Sequence, residues 1–142
     1  MIRTTPRFTT QTGYRVTVEV PEPEALRLLA AIEAAAPLIW GDYDRVSFTS
    51  TPGVQRFRAL GTGRNAATEN RVSVPCVEVR FFVSEGAVEA VLDAIHEAHP
   101  YEEPVVLVER CLRTLHVRGS DEDNPNRFWN RPAADWVPPQ HR

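Results

Sequence analysis

Lysine is absent from the sequence, and all 16 basic residues are arginine. Schiff-base catalysis and P-loop nucleotide binding both require a lysine amine, so neither applies to this chain. Cysteine is also scarce: Cys76 and Cys111 fall in segments predicted as strands and lack the spacing of a metal knuckle. This pattern favours two buried free thiols.

Long apolar runs are absent too, so the sequence predicts neither a membrane-spanning helix nor a membrane partner. The polar N-terminus lacks the apolar core of a signal peptide, and we therefore expect a cytoplasmic protein. The formal net charge of -3 argues against nucleic acid as a partner.

The chain has 142 residues, of which 42% are hydrophobic, and this suits one domain with a modest core. We expect three parts: a flexible polar leader at 1–12, a folded domain at 13–113 and a tail at 114–142. The tail carries Phe128, Trp129 and Trp136. Disordered tails are poor in aromatic residues, so we expect this one to dock on a protein surface.

Hydrophobic periodicity defines the folded part. Val16, Val18 and Val20 alternate with polar residues, as in a strand with one buried face. The predicted order is a strand at 14–20, a helix at 24–35, a hairpin with arms at 43–49 and 55–60, a strand at 75–83, a helix at 85–98 and a strand from 105. This order predicts an α+β ferredoxin-like sandwich, with both helices on one face of an antiparallel sheet.

The stretch His99-Pro100-Tyr101-Glu102-Glu103-Pro104 concentrates polar chemistry in a short corner. Each proline fixes its own φ and moves the preceding residue out of the helical conformation. A helix must therefore end near His99, and an extended segment must begin by Pro104.

Two interpretations of this motif stay open. In the first, His99 and either Glu102 or Glu103 bind a divalent metal whose shell a neighbouring subunit completes. In the second, the carboxylates pair with arginines across a subunit contact, and His99 is a hydrogen-bonded corner residue. We favour the second, because one histidine with two acids is an incomplete ligand set. A catalytic pair, with Glu103 as base and His99 as acid, is less favoured still, since the sequence shows no pocket or substrate.

The polar stretch from Gly61 to Val74 predicts an exposed, mobile loop. Its backbone N–H groups around Gly63 could hold an anion, with Arg64 as the charge partner. No helix pattern follows this stretch, so a plain flexible loop is the favoured interpretation.

The six-residue motif and several shorter elements resemble the CutA and PII-like superfamily. They are more similar still to the insert domain of the YqfO-like proteins, the dinuclear-metal family also described as GTP cyclohydrolase I type 2 homologues. The matching elements are Gly41-Asp42-Tyr43, Ser47-Phe48, Phe57-Arg58, Glu78-Val79-Arg80 and the motif itself, in that order within residues 14–112. The resemblance implies a ferredoxin-like fold and, as in CutA and PII, a trimer.

Two departures limit what this resemblance implies. Val46 stands where the insert family often has cysteine, and the loop after Gly61 lacks the family's proline and isoleucine pattern. We expect no counterpart in this chain to the lobes that hold the family's metal pair, and its hydrolase-type chemistry is not carried over.

These observations predict a non-enzymatic oligomeric module that binds a small ligand, a metal ion or a protein partner at its subunit clefts. The alternative is a metal-binding protein or metal-dependent enzyme that uses His99 and Glu103. The expected cofactor, if there is one, is a weakly bound divalent metal. No catalytic residue is assigned, and the candidate ligand-binding or interface residues are Tyr43, Arg64, His99, Tyr101, Glu102 and Glu103.

Self-association is predicted from the face of the sheet that the two helices leave open. Cys76 and Phe82 fall on that face, and the apolar run from Val105 to Val108 presents side chains in both directions. Leaving apolar surface in water costs about 25 cal/mol per Å². We therefore expect a homo-oligomer, most simply a trimer with contacts from the tail; a tail folded over the same face is the alternative.

Overall fold

The computed structural model of the chain describes residue 2, residues 4–132, and residues 134, 138 and 139. It divides into two compact units, one formed by residues 12–113 and the other by residues 1–11 and 114–142. The elements are β1 (Phe8–Pro21), a 3-10 turn (Glu22–Glu24), α1 (Ala25–Ala35), β2 (Phe48–Thr49), β3 (Gly53–Phe57), β4 (Val72–Val83), α2 (Val88–Ala98), β5 (Val106–His116) and a second 3-10 turn (Phe128–Asn130). None of the helices in the described ranges combines the length and apolar character needed to cross a bilayer.

The strands form one sheet in the order β2-β4-β1-β5, with β3 also paired to β4. The central pair, β1 and β4, is antiparallel, and their buried residues face each other: Val16 with Phe81, Val18 with Val79, and Val20 with Val77. These side chains share one core with Leu28 and Ile32 of α1 and with Val91 and Ile95 of α2. Both helices therefore cover the same face, and the predicted ferredoxin-like α+β sandwich is confirmed.

The predicted hairpin between residues 43–49 and 55–60 is wrong. Both β2 and β3 pair antiparallel with β4, so they are consecutive pieces of one interrupted strand. Between the two pieces, Ser50 keeps the chain paired with β4. Its N–H donates to the Glu78 carbonyl at 2.9 Å, and its hydroxyl accepts the Glu78 N–H at 2.8 Å. The proline and glycine that follow thus produce a local bulge and leave the strand direction unchanged.

The first strand begins at Phe8, within the stretch expected to be a polar leader. Residues 8–12 lack the apolar alternation that marks the strand from Tyr14 onward. They include Thr9, Thr10 and Thr12, whose β-branched side chains favour extended backbone. This segment shows that a strand without a buried apolar face leaves little trace in the hydrophobic pattern.

The two residues expected to form a wet apolar patch are buried within the chain itself. Phe82 is only 8% exposed, because Trp40 lies edge-on against it and the Arg113 guanidinium stacks 4.0 Å from its ring centroid. Gly13 allows this packing, since a Cβ there would lie within 2.9 Å of the Phe82 ring and 2.7 Å from the Val83 carbonyl oxygen. Cys76 is buried as well. Phe82 and Cys76 therefore leave little apolar surface for the self-association that the sequence predicts.

Candidate functional site

The motif begins where α2 ends. The His99 N–H still donates to the Ile95 carbonyl at 2.9 Å, but its backbone is extended, with φ -67° and ψ 139°. Pro100 accounts for that change, because proline disfavours helical conformation in the residue before it. The result is a corner that turns the chain from the helix toward β5.

His99 fastens this corner to the sheet. Its ring is buried, its Nε2 lies 2.7 Å from the Glu19 carbonyl oxygen, and its Nδ1 accepts the Tyr101 N–H at 3.0 Å. A backbone carbonyl can only accept and a backbone N–H can only donate, so these contacts select the neutral tautomer with hydrogen on Nε2. Burial lowers the pKa of His99 from its ordinary value and favours the same neutral form.

Both ring nitrogens of His99 are therefore engaged by the backbone. A metal ion bound to either one would displace a hydrogen bond and leave a buried backbone group without its partner. Within the described residues, no three histidine, cysteine, aspartate or glutamate side chains lie close enough to hold a metal ion together.

Tyr101 contacts the first half of β4. Its hydroxyl oxygen is 4.0 Å from the Cys76 sulfur, and its ring lies near those of His99 and Phe57, with centroid distances of 5.1 and 6.3 Å. Burial raises the pKa of both the Cys76 thiol and the Tyr101 hydroxyl. Both groups are neutral at pH 7, so the pair acts as a packed, weakly polar contact and supplies no activated nucleophile.

Glu102 turns away from this cluster and binds the polar loop that follows β3. Its Oε1 accepts the Arg64 N–H at 2.9 Å. Gly63 is the reason that the carboxylate fits, because a Cβ at Gly63 would collide with Glu102 Oε1 and lie 3.3 Å from its Cδ. The carboxylate therefore occupies the space that any other residue at position 63 would fill.

The loop that binds Glu102 is closed at its own base. The Ala59 N–H donates to the Thr68 hydroxyl at 2.9 Å, and the Thr68 N–H donates to the Ala59 carbonyl at 3.0 Å. Gly61 has a φ of +84° and lies against Ala67, a conformation that glycine adopts without strain. We call residues 59–68 the Glu102-binding loop, and its residues 60–67 are exposed. The polar loop expected from Gly61 to Val74 ends earlier than predicted, because β4 begins at Val72.

The structure brings four of the six candidate residues into two pairs that are adjacent in the chain. His99 packs against Tyr101, and Glu102 accepts the Arg64 N–H. Glu103 is exposed, and in the described part of the chain its carboxylate has no hydrogen-bond or ionic partner. Among the described residues, no hydrogen bond or ion pair joins Glu103 to His99.

Tyr43 lies elsewhere. It is 71% exposed and exchanges backbone hydrogen bonds with Trp40, whose ring packs on Phe82. Phe82 and Cys76, which Tyr101 contacts, are six residues apart on β4, or about 20 Å along a strand. Within one chain, Tyr43 is therefore at the opposite end of the sheet from the motif.

Two members of this site were not evident from the sequence. The Glu19 carbonyl and the Thr68 hydroxyl each make a contact that no sequence motif predicts, because one is a backbone group and the other a single hydroxyl. The glycine-rich stretch was recognised as an anion-binding candidate. The anion that the structure places there is the chain's own Glu102.

Solved structures of other proteins match this chain at the level of its fold. No family model and no curated protein sequence matches the chain. Among solved structures, a Bacillus cereus protein related to NIF3 superposes with a TM-score of 0.62 and 24% identity over 72% of this chain. CutA from Xylella fastidiosa has a TM-score of 0.53 and 13% identity, covering 69% of this chain and 82% of its own. CutA from Synechococcus elongatus has a TM-score of 0.51 and 20% identity, covering 77% of this chain and 81% of its own. This chain shares their fold.

The NIF3-related protein belongs to the family of GTP cyclohydrolase I type 2 homologues, so the expected resemblance to CutA and to that YqfO-like family is confirmed at the level of fold. This chain covers only 26% of the NIF3-related protein, whereas it covers more than four fifths of each CutA chain. The NIF3-type match is thus to one part of a larger protein, and that protein's own activity does not follow from the superposition.

Proposed function

We propose that this chain is a non-enzymatic PII/CutA-like module that assembles as a homo-oligomer and binds a ligand or partner near the His99–Pro104 motif. A trimer is the assembly we favour, and the cytoplasm is the location we expect. The fold is compatible with this role but does not dictate it, because one fold hosts many functions. The proposal rests on the sheet edge that adjoins the motif.

That edge is β5, the last strand in the order β2-β4-β1-β5. It begins two residues after the motif, so whatever covers β5 also approaches the motif. Three large apolar side chains on it, Leu107, Val108 and Leu112, are between 41 and 56% exposed, and Val105 immediately before it is 39% exposed. An exposed apolar edge strand is prone to pair with another chain, and this single observation supports association through β5.

Static light scattering tests the assembly. The full chain is expected at three times the 16.0 kDa of one chain, and Leu107→Glu is expected to shift it toward the single-chain mass. Leu26→Glu is the matched control: Leu26 is 82% exposed and belongs to α1, not to β5, so this variant should keep the wild-type mass. A wild-type protein that stays at 16.0 kDa at every concentration would contradict the oligomer.

A metal-dependent function through His99 and Glu103 remains the alternative prediction. It has less support, because backbone groups already engage both nitrogens of His99. Metal analysis of protein purified without added metal is expected to give clearly substoichiometric zinc. One tightly held zinc per chain, lost in both His99→Ala and Glu103→Ala, would favour the alternative.

A further inference from the structure

We propose that residues 61–65 form an anion-binding site whose resident occupant is Glu102, so that the external ligand of the motif is a carboxylate or phosphate group that replaces Glu102. This inference rests on the proposed function and specifies its ligand by chemical class. Under this proposal, the Glu102 carboxylate and the external ligand compete for the same site.

The geometry of the contact is that of a bound anion. One Glu102 oxygen accepts a backbone N–H from Arg64, and Gly63 leaves the carboxylate a space with no Cβ in it. Hydrogen bonds from backbone N–H groups to an ionised oxygen are about twice as strong as neutral ones. Glycine-rich turns that expose such N–H groups are a recurrent means of binding carboxylates and phosphates.

The charge around the site also favours an anion. Although the whole chain has a net charge of -3, the segment from β3 through the Glu102-binding loop has the opposite sign. Between residues 53 and 71 there are four arginines, Arg56, Arg58, Arg64 and Arg71, and one acidic residue, Glu69. All four arginines are exposed. The single carboxylate of Glu102 offsets only part of this positive charge, so the segment also attracts a dissolved anion that can replace Glu102.

Replacement of Glu102 leaves both sides of the site in place. The loop is closed by the two hydrogen bonds between Ala59 and Thr68, neither of which involves Glu102. The motif is held by His99 on the Glu19 carbonyl, which is equally independent of Glu102. Glu102 itself is exposed, so water and dissolved anions reach its carboxylate. The contact is therefore open to competition while its frame stays formed.

The test follows the backbone amide NMR signals of Gly63 and Arg64 during titration with inorganic phosphate, and separately with acetate, at constant ionic strength. In Glu102→Ala the site is vacant, and both signals should shift saturably, at least tenfold tighter than in wild type. Stronger binding of phosphate than of acetate would identify a phosphate ligand, and the reverse order a carboxylate. Glu97→Ala, which removes one exposed carboxylate from α2, controls for net charge and should titrate like wild type.

A second variant tests the space beside Gly63. Adding Gly63→Ala to Glu102→Ala should abolish the tight response, because the new Cβ fills the place of the bound oxygen. The three atoms nearest that Cβ all belong to Glu102, so the double variant has room to fold, and its thermal melt verifies this. Glu102→Ala signals that do not move, or move equally in Glu97→Ala, would overturn the inference. Light scattering on the same samples separates this failure from failure of the proposed assembly.

Discussion

At the scale of single residues, His99 stands out because it is a buried titratable group that closes a corner. It connects the Glu19 carbonyl of β1 to the Tyr101 N–H, two backbone groups that would otherwise lack these partners. An unsatisfied buried backbone group costs about 1–3 kcal/mol. The geometry therefore supports the structural interpretation of His99, in which its side chain holds the motif against the sheet.

We expect His99→Ala to lower the free energy of unfolding by about 2–4 kcal/mol, because it removes two hydrogen bonds and their packing. Urea denaturation at one fixed protein concentration measures this change. His96→Ala is the control: His96 is exposed on the same helix, and its replacement should change stability by less than about 0.5 kcal/mol. Equal effects of the two substitutions would show that the ring contacts of His99 contribute little.

The depressed pKa of His99 also predicts a pH dependence. The unfolded chain binds a proton near the ordinary value of 6.5, but the folded chain does so only at lower pH. The contribution of neutral His99 to the free energy of unfolding is therefore complete above pH 6.5 and is lost as the pH falls through the folded-state pKa. Urea denaturation of wild type and His99→Gln between pH 7.5 and 5 should show a steeper decline for wild type. Parallel declines would assign the effect to other groups.

At the scale of elements, the Glu102-binding loop depends on one hydroxyl. Thr68 accepts the Ala59 N–H through its side chain and returns a backbone N–H to the Ala59 carbonyl. The two hydrogen bonds close a loop of ten residues, of which eight are exposed, without a core of their own. This is how a polar stretch without hydrophobic pattern becomes a defined binding element.

Thr68→Val keeps the shape of the side chain and removes the acceptor. We expect it to lower stability by about 1 kcal/mol and to accelerate hydrogen exchange of the Ala59 amide, measured by NMR. Thr62→Val, at an exposed position of the same loop, should leave that exchange rate unchanged. If the Ala59 amide exchanges equally fast in all three proteins, the hydroxyl contact does not close the loop.

The segment after β5 is organised around Asp121. Its carboxylate accepts hydrogen bonds from Asn124 at 3.0 Å, from Arg7 at 3.2 Å and from Arg127. The hydrogen bond from Asn124, followed by the two arginines, lowers the pKa of Asp121 from its ordinary 3.8. The contribution of ionised Asp121 to the stability of this segment is present above pH 3.8 and is lost as the pH falls through the lower folded-state pKa.

Asp121→Asn removes this charge and should weaken the segment at neutral pH. The indole N–H of Trp129, which donates to the Glu122 carbonyl at 3.1 Å, reports on it by NMR. We expect faster exchange of that proton in Asp121→Asn and, for wild type, as the pH is lowered below 3.8. Asp123→Asn, at an exposed neighbour, should match wild type. An unchanged indole signal in Asp121→Asn would show that the carboxylate does not order the segment.

At the scale of the whole molecule, the question is what covers the apolar surface that remains exposed. Phe82 and Cys76 are already covered within residues 12–113, so the exposed side chains of β5 carry most of the argument for association. Phe128 and Trp129 are half-exposed, and Trp136 lies outside the described residues. Whether the tail contributes to contacts between chains stays a prediction.

A chain ending at Arg118 tests the role of the tail by light scattering. If the tail adds contacts between chains, the shortened chain should dissociate at concentrations where the full chain is oligomeric. The opposite result, a monomeric full chain and an associating short one, would mean that the tail covers apolar surface within its own chain and that the trimer is wrong. A circular dichroism melt of both proteins controls for loss of the fold.

The order of elements and the two-layer fold were determined by the sequence alone, because alternation of period two and helical stripes are local properties of the chain. The corner at His99 was equally local, since two prolines fix it. Boundaries were less well determined: α2 begins at Val88 because residues 84–87 form a turn closed by the Ala87 N–H on the Ser84 carbonyl. The hairpin prediction failed because Thr51-Pro52-Gly53 is compatible with either a reversal or a bulge.

The site was decided by tertiary structure. His99 meets the Glu19 carbonyl across 80 residues, and Glu102 meets the Arg64 N–H across 38. Neither backbone partner has a side-chain signature, and their distance apart in the sequence puts them beyond any periodic pattern. These groups come within hydrogen-bonding distance only in the folded chain, where β1 pairs with β4 and α2 ends beside them at the His99 corner. The sequence therefore specified which polar groups the motif contains, and the fold specified what each of them binds.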